Sequence, residues 1–159
     1  MPRPTPNTLI SYPHHLTLQT RWADNDVYGH VNNSVYYFYF DTVVNKWLIE
    51  NGLLEIGKSE TIGLVVGTSC DYFSPISFPD EIVAGLRAAK IGSTSVTYEI
   101  GLFRNDETTA SAQGTFVHVY VDEKNRRPAP ISDKMKKKLQ LLLLPEGEGG
   151  RRSDEGNTA

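Results

Sequence analysis

The strongest constraint on the fold is one long aromatic segment, Ser34 to Asn51, which precedes a chain rich in β-forming residues. Its first part, VYYFYF, has strand propensity when taken alone. The apolar positions nevertheless recur at helical spacing, a cap-competent Asn33 or Ser34 stands before them, and Gly52 follows. We therefore predict a helix. Because its apolar residues spread widely around the axis, we expect this helix to be largely enclosed.

Five segments alternate in polarity or are rich in Val, Ile, Thr, Tyr and Phe, and turn residues separate the last four. The predicted strands are Leu16–Trp22, Ile62–Phe73, Glu81–Lys90, Thr94–Phe103 and Thr109–Val121. One strand, a long helix and four more strands predict an α+β fold in which a curved antiparallel sheet wraps around the helix. A short helix is predicted over Ser132–Leu144, with Asp133 in its first turn and Pro145 after it.

The chain has 159 residues, enough for one domain with a core, which we place at residues 14–144. Residues 1–13 are polar and proline-rich, and are predicted to form a flexible arm. Residues 145–159 are rich in Gly, Glu and Arg, and are predicted to be disordered.

Composition excludes several classes of function. The net charge of −3 gives no general basic field for nucleic acid. No run approaches the ~20 apolar residues of a membrane span, and no signal peptide is evident. The single cysteine, Cys70, rules out an intrachain disulfide and a multi-cysteine metal site. The histidines have no ligand spacing, so no metal is expected, and a cytoplasmic location fits this cysteine usage.

The loop before the aromatic helix carries the candidate chemistry. A carboxylate on this loop, Asp26, stands beside the amino end of a helix, whose N–H groups can polarise a carbonyl. Asp26 could act as a general base or as a nucleophile, or it could simply cap a turn. His30 could hold a water, hydrogen-bond the acid, or be structural. Asn33 could offer its backbone N–H and Asn32 could support the loop, or both asparagines could simply cap the helix.

The same loop carries a family resemblance. The pattern D-x-D-x-x-G-H-V-N-N-x-x-Y is present, here as Asp24, Asp26, Gly29, His30, Val31, Asn32, Asn33 and Tyr36. Weaker matches are DYFSPISFPDEI (71–82), IGSTSVTYEI (91–100) and HVYVDEKNRRPAPI (118–131). The chain resembles the hotdog-fold acyl-CoA thioesterases of the 4-hydroxybenzoyl-CoA thioesterase type.

This resemblance implies the hotdog fold and hydrolysis of an acyl-CoA without a separate cofactor, since coenzyme A is part of the substrate. It also implies that Asp26 is the catalytic acid and that the Asn33 N–H polarises the thioester carbonyl. Homodimers or tetramers are expected, with sites between subunits. Plant acyl-carrier-protein thioesterases show D-x-N-x-H, but Tyr28 stands at the asparagine position here, which leaves Asp26 as the main candidate.

Further residues are candidates for substrate binding. Tyr28 and Tyr36 could line an acyl pocket or simply pack. A strand turn carries Lys90, Ser93, Thr94 and Ser95, and a basic cluster before Pro128 includes Arg126 and Arg127. The basic cluster fits nucleotide phosphates, or it is a solvated surface turn.

Two alternatives to the hydrolase remain. A hotdog enoyl-CoA hydratase or dehydratase tends to show D-x-N-P-x-H, whereas this chain reads DVYGHV. A non-catalytic acyl-CoA or acyl-carrier binding module is the other, and the retention of Asp26 argues against it.

Overall fold

The computed structural model of the chain describes residues 4–143. Its strands are β1 (His14–Gln19), β2 (Thr61–Tyr72), β3 (Glu81–Ile91), β4 (Ser95–Arg104) and β5 (Ala112–Asp122), and its helices are α1 (Val35–Glu50) and α2 (Asp133–Gln140). The strands form one antiparallel sheet in the order β1-β3-β4-β5-β2. A curved sheet against one long helix is the hotdog fold, as the sequence predicts.

Helix α1 begins and ends within one residue of the predicted segment. One face packs on the sheet and buries Tyr36, Tyr39, Phe40, Val43, Val44, Trp47 and Leu48. The opposite face is open, and Phe38 and Ile49 are 67% and 46% exposed. The expectation of a largely enclosed helix is therefore wrong within a single chain, because one sheet covers only one side of a helix.

The first strand ends earlier than predicted. β1 stops at Gln19, and Trp22 lies in a 3-10 turn with 77% of its surface exposed. The side chain of Asp24 accepts the backbone N–H of Arg21 at 2.9 Å, which turns the chain out of the sheet. A local side-chain bond thus overrides the alternating pattern.

The N-terminal arm is docked from Asn7 to Tyr12 and differs there from the predicted flexible segment. Tyr12 is 2% exposed and lies against two paired glycines, Gly85 of β3 and Gly101 of β4. A Cβ at these glycines would approach the Tyr12 ring to 2.6 and 2.7 Å, so the contact requires residues without side chains. The guanidinium of Arg87 lies 4.7 Å from the ring centre of Tyr12.

Helix α2 starts as predicted and is shorter at its end. The Ser132 hydroxyl accepts the Met135 N–H at 3.1 Å and caps the helix. The helix ends at Gln140, and the Leu142 carbonyl then accepts the N–H of Ala88 on β3. The predicted disorder of residues 145–159 falls outside the described residues. Across residues 4–143, no helix has the length and apolarity needed to cross a membrane.

Candidate active site

The loop between β1 and α1 is a tight, hydrogen-bonded turn. Asn25 and Val31 form an antiparallel bridge, and the Asp26 N–H donates to the His30 carbonyl at 2.8 Å. Gly29 completes the turn with φ at 82°, a conformation that glycine adopts without strain. This geometry holds Asp26 and His30 on a short rigid loop next to α1.

The carboxylate of Asp26 has one oxygen engaged. Its Oδ1 accepts the backbone N–H of Tyr28 at 2.9 Å, so the turn-capping contact exists. No residue in the described range hydrogen-bonds to Oδ2. The side chain is half-buried. Capping and chemistry are therefore compatible, since a second oxygen is open to a water or a substrate.

The connection between β2 and β3 fixes this loop from outside. The Val31 N–H donates to the Ile76 carbonyl at 2.7 Å, and the Ser77 hydroxyl donates to the Gly29 carbonyl at 2.8 Å. These bonds join the loop to a segment more than forty residues away in the chain. The position of Asp26 is thus set by tertiary structure as well as by its own turn.

Asp24 is a buried structural acid that the sequence reasoning did not single out. Its side chain is 1% exposed, and Oδ2 accepts the Tyr39 hydroxyl at 2.7 Å. Oδ1 accepts Nε of Arg21 at 3.0 Å. Burial alone would raise the pKa of Asp24, but the hydrogen bonds from Tyr39 and Arg21 outweigh it and hold this pKa below its ordinary value. The only sequence signal was its place two residues before Asp26.

The segment just before α1 positions the backbone N–H of Asn33. Oδ1 of Asn32 accepts the Ser34 N–H at 3.0 Å, and the Asn32 carbonyl accepts the Val35 N–H at 2.9 Å. The side chain of Asn32 therefore supports the turn that leads into the helix, and the N-cap residue itself is Ser34. The Asn33 N–H donates to no residue between 4 and 143. A free N–H at a helix start can stabilise negative charge on an oxygen.

The predicted aromatic lining divides between the surface and the core. Tyr28 is 83% exposed beside Asp26. Tyr36 is only 3% exposed, and its ring meets that of Tyr72 edge-on at 4.9 Å. Burial raises the pKa of Tyr36 to about 12. Within one chain, Tyr36 is thus a core residue and Tyr28 is open.

The predicted coenzyme A contacts lie at the other end of the sheet. Lys90, Ser93, Thr94 and Ser95 stand at the β3–β4 turn. The Ser93 carbonyl accepts the Ile131 N–H, which brings this turn beside the connection that carries Arg126 and Arg127. β3 starts just after the segment that holds the Asp26 loop, and its 11 residues span roughly 33 Å. The Asp26 loop and the predicted coenzyme A contacts are thus separated by the length of the sheet.

A cavity of about 490 Å³ opens at this far end. It lies between the α1–β2 connection, residues 54–60, and the end of β5, residues 122–124. Lys58 and Lys124 lie in a wall that also carries four carboxylates. It does not adjoin Asp26 of the same chain. In the part of the chain that the structure describes, no three His, Cys, Asp or Glu side chains are grouped so that they could hold a metal.

A hotdog fold with an acid loop at the start of its long helix defines the class of this protein. Residues 20–139 match the sequence model of the thioesterase-like superfamily, and the chain belongs to this superfamily. It is a thioesterase by family, an enzyme that hydrolyses thioesters.

Three similar proteins show the extent of the likeness, and one of them is named a thioesterase. The PA5185 protein of Pseudomonas aeruginosa PAO1 is 48% identical, with a TM-score of 0.84 over 86% of this chain and 96% of that one. A thioesterase from Thermus thermophilus, complexed with coenzyme A and Zn, is 29% identical, with a TM-score of 0.69 over 85% of this chain and 98% of that one. YsmA of Bacillus subtilis strain 168 is 25% identical over 122 residues, 77% of this chain and 82% of YsmA.

Proposed function

We propose that this protein hydrolyses acyl-CoA thioesters to the free acid and coenzyme A, with Asp26 as the reacting acid. The observation that carries the proposal is that one loop holds both an Asp26 carboxylate oxygen and an Asn33 N–H that have no hydrogen-bond partner among residues 4–143. The Thermus thermophilus relative, a thioesterase complexed with coenzyme A, supports the choice of thiol.

The chemistry can follow either of two routes from the same geometry. As a general base, Asp26 takes a proton from water while the water oxygen attacks the thioester carbon. As a nucleophile, Asp26 attacks directly, and water then cleaves the mixed anhydride. In both routes the carbonyl oxygen gains negative charge and accepts the Asn33 N–H. The thiolate of coenzyme A leaves and receives the proton that the attacking water gives up. The exposed ring of His30 can hold that water.

The substitution Asp26→Asn tests this proposal. It keeps the side-chain shape and its capping oxygen but removes the base and the nucleophile. We expect thiol release from a panel of acyl-CoA esters to fall by about 10²–10⁴-fold. The matched control is Asp41→Asn, an exposed acid on α1 whose side chain bonds to Asn45, and it should retain full activity.

The same assay separates the alternatives. Thiol release from Asp26→Asn at the wild-type rate would falsify the role of Asp26. Conversion of an enoyl-CoA to a 3-hydroxyacyl-CoA by the wild type would indicate a hydratase. Binding of acyl-CoA without thiol release by the wild type would indicate a binding module.

We also propose that the working unit contains at least two copies of the chain. β2 is an edge strand with apolar residues exposed, since Val65 and Val66 are 47% and 61% accessible. Antiparallel pairing of two β2 strands would place the Tyr72 end of one beside the Thr61 end of the other. The cavity and basic cluster of one copy would then approach the Asp26 loop of its partner. In this arrangement one substrate can reach the Asp26 loop of one chain and the basic cluster of the other. Within a single chain these two groups are too far apart.

A further inference from the structure

Two peptide groups meet at the Cα of Asn33, and both are held by hydrogen bonds. The first joins Asn32 to Asn33, and its carbonyl accepts the Val35 N–H at 2.9 Å. The second joins Asn33 to Ser34, and its N–H donates to Oδ1 of Asn32 at 3.0 Å. The carbonyl of this second group accepts the hydroxyl of Tyr72 at 3.0 Å. The direction of the unpaired Asn33 N–H is therefore fixed through its neighbours.

The Tyr72 bond differs from the others because it comes from outside the loop. Asn32, Ser34 and Val35 are local partners that would move together with Asn33. Tyr72 lies 39 residues away, at the end of β2. This hydrogen bond to the Asn33 carbonyl links the backbone of Asn33, and with it the N–H, to strand β2 of the sheet.

The backbone and the ring of Tyr72 are both fixed by contacts with other elements. Its backbone is paired with Ala112 of β5, the next strand in the sheet. Its ring packs edge-on against that of Tyr36 on α1, with planes at 86°. A side chain fixed by a strand and by the helix can transmit a defined position to the Asn33 peptide.

We propose that Tyr72 is a positioning residue for hydrolysis: its hydroxyl, by holding the Asn33 carbonyl, aims the Asn33 N–H at the thioester oxygen. This inference rests on the proposed function, because it assumes that the Asn33 N–H stabilises the oxyanion. Donors of this kind act by being in place before the charge develops, so a loosely held N–H loses most of its effect. Tyr72 itself does not touch the reacting atoms.

The test is Tyr72→Phe, which removes one oxygen and keeps the ring packing. We expect kcat to fall by about 10- to 100-fold. KM should change by less than about twofold, since the lost interaction acts in the transition state. The melting temperature should stay close to that of the wild type. Tyr120→Phe is the matched control, because it removes a buried hydroxyl of β5 that has no bond to the loop, and it should retain the wild-type kcat.

A spectroscopic readout separates positioning from general loosening. In Tyr72→Phe the amide of Asn33 should shift or broaden in an ¹⁵N–¹H spectrum and exchange faster with solvent. In Tyr120→Phe and Asp26→Asn the same amide should keep its wild-type exchange rate. A wild-type exchange rate in Tyr72→Phe overturns the inference.

The kinetic outcomes are also distinct. Full kcat in Tyr72→Phe, together with an inactive Asp26→Asn, overturns the role of Tyr72 and leaves the proposed function standing. Full activity in Asp26→Asn removes the proposed function, and the inference falls with it. Equal losses of kcat and melting temperature in Tyr72→Phe and Tyr120→Phe mean a packing effect, which also overturns the inference.

Discussion

At the scale of single residues, the two acids of the loop have different tasks although they are two positions apart. Asp24 is 1% exposed and has its oxygens occupied by Tyr39 and Arg21. Asp26 is half-buried and keeps one oxygen free of described partners. The pattern D-x-D thus pairs an anchor with the acid that we propose reacts. Residue chemistry alone does not separate the two, because both are aspartates in a polar loop, and the choice of Asp26 depends on the family resemblance.

The anchor role of Asp24 predicts a stability effect. Asp24→Ala would leave the Tyr39 hydroxyl buried without an acceptor, which costs about 1–3 kcal/mol in the free energy of unfolding. Urea unfolding checks this expectation. Arg21→Ala is the comparison and should cost less, since it leaves the Asp24 carboxylate bonded to the Tyr39 hydroxyl and to the backbone N–H of residue 21. An Asp24→Ala protein with wild-type stability would contradict the anchor role.

At the scale of elements, sequence periodicity located the helices and strands well. Helix α1 was placed within one residue at both ends, because its length and caps outweighed the strand propensity of its aromatic run. Contacts remote in sequence were not foreseen. Tyr12 on Gly85 and Gly101, and Tyr72 on Asn33, join segments whose meeting depends on the strand order. No local pattern encodes that order.

Strand β5 contains a buried histidine with a predictable pH effect. His118 is 2% exposed, and its ring lies 5.1 Å from that of Phe116 and 5.9 Å from those of Tyr98 and Tyr120. Burial lowers the pKa of His118 from 6.5 to about 4. The folded protein therefore holds this ring neutral, and the unfolded chain binds the proton first as pH falls.

The sign of the effect follows from that order of protonation. The contribution of His118 to stability is full above pH 6.5 and is lost progressively down to about pH 4. The loss amounts to about 3 kcal/mol in the free energy of unfolding over this window. In His118→Phe the free energy of unfolding, measured with urea at pH 7.5, 6 and 5, should change less with pH than in the wild type. His15→Gln, at an exposed position, controls for the removal of a histidine. An unchanged slope in His118→Phe would show that other groups set the dependence.

At the scale of the whole molecule, the sheet determines the distance between the two predicted parts of the site, which the sequence does not reveal. Sequence motifs identified both the Asp26 loop and the basic residues near Arg126, but not their separation. The antiparallel registers place them at opposite ends of the strands, because β1 leads into the Asp26 loop beside the start of β3, whereas β5 ends beside the β3–β4 turn. The strand order also leaves β2, whose last residue is Tyr72, at an edge of the sheet, where the proposed second chain would add its part of the site.

The edge strand gives the last prediction. In a two-fold antiparallel pairing of β2, residues near the strand centre lie close to their own copies, so a charge introduced there faces a like charge. Val66 is 61% exposed, next to the bulge between Val65 and Gly67. We expect Val66→Lys to convert a dimer to a monomer in light scattering and to reduce thiol release in parallel. Ile10→Lys, on the docked arm at 85% exposure, should preserve both. A wild-type chain that is monomeric and fully active at assay concentration would contradict a site shared between two chains. In one chain, Asp26 and the basic cluster are a sheet length apart.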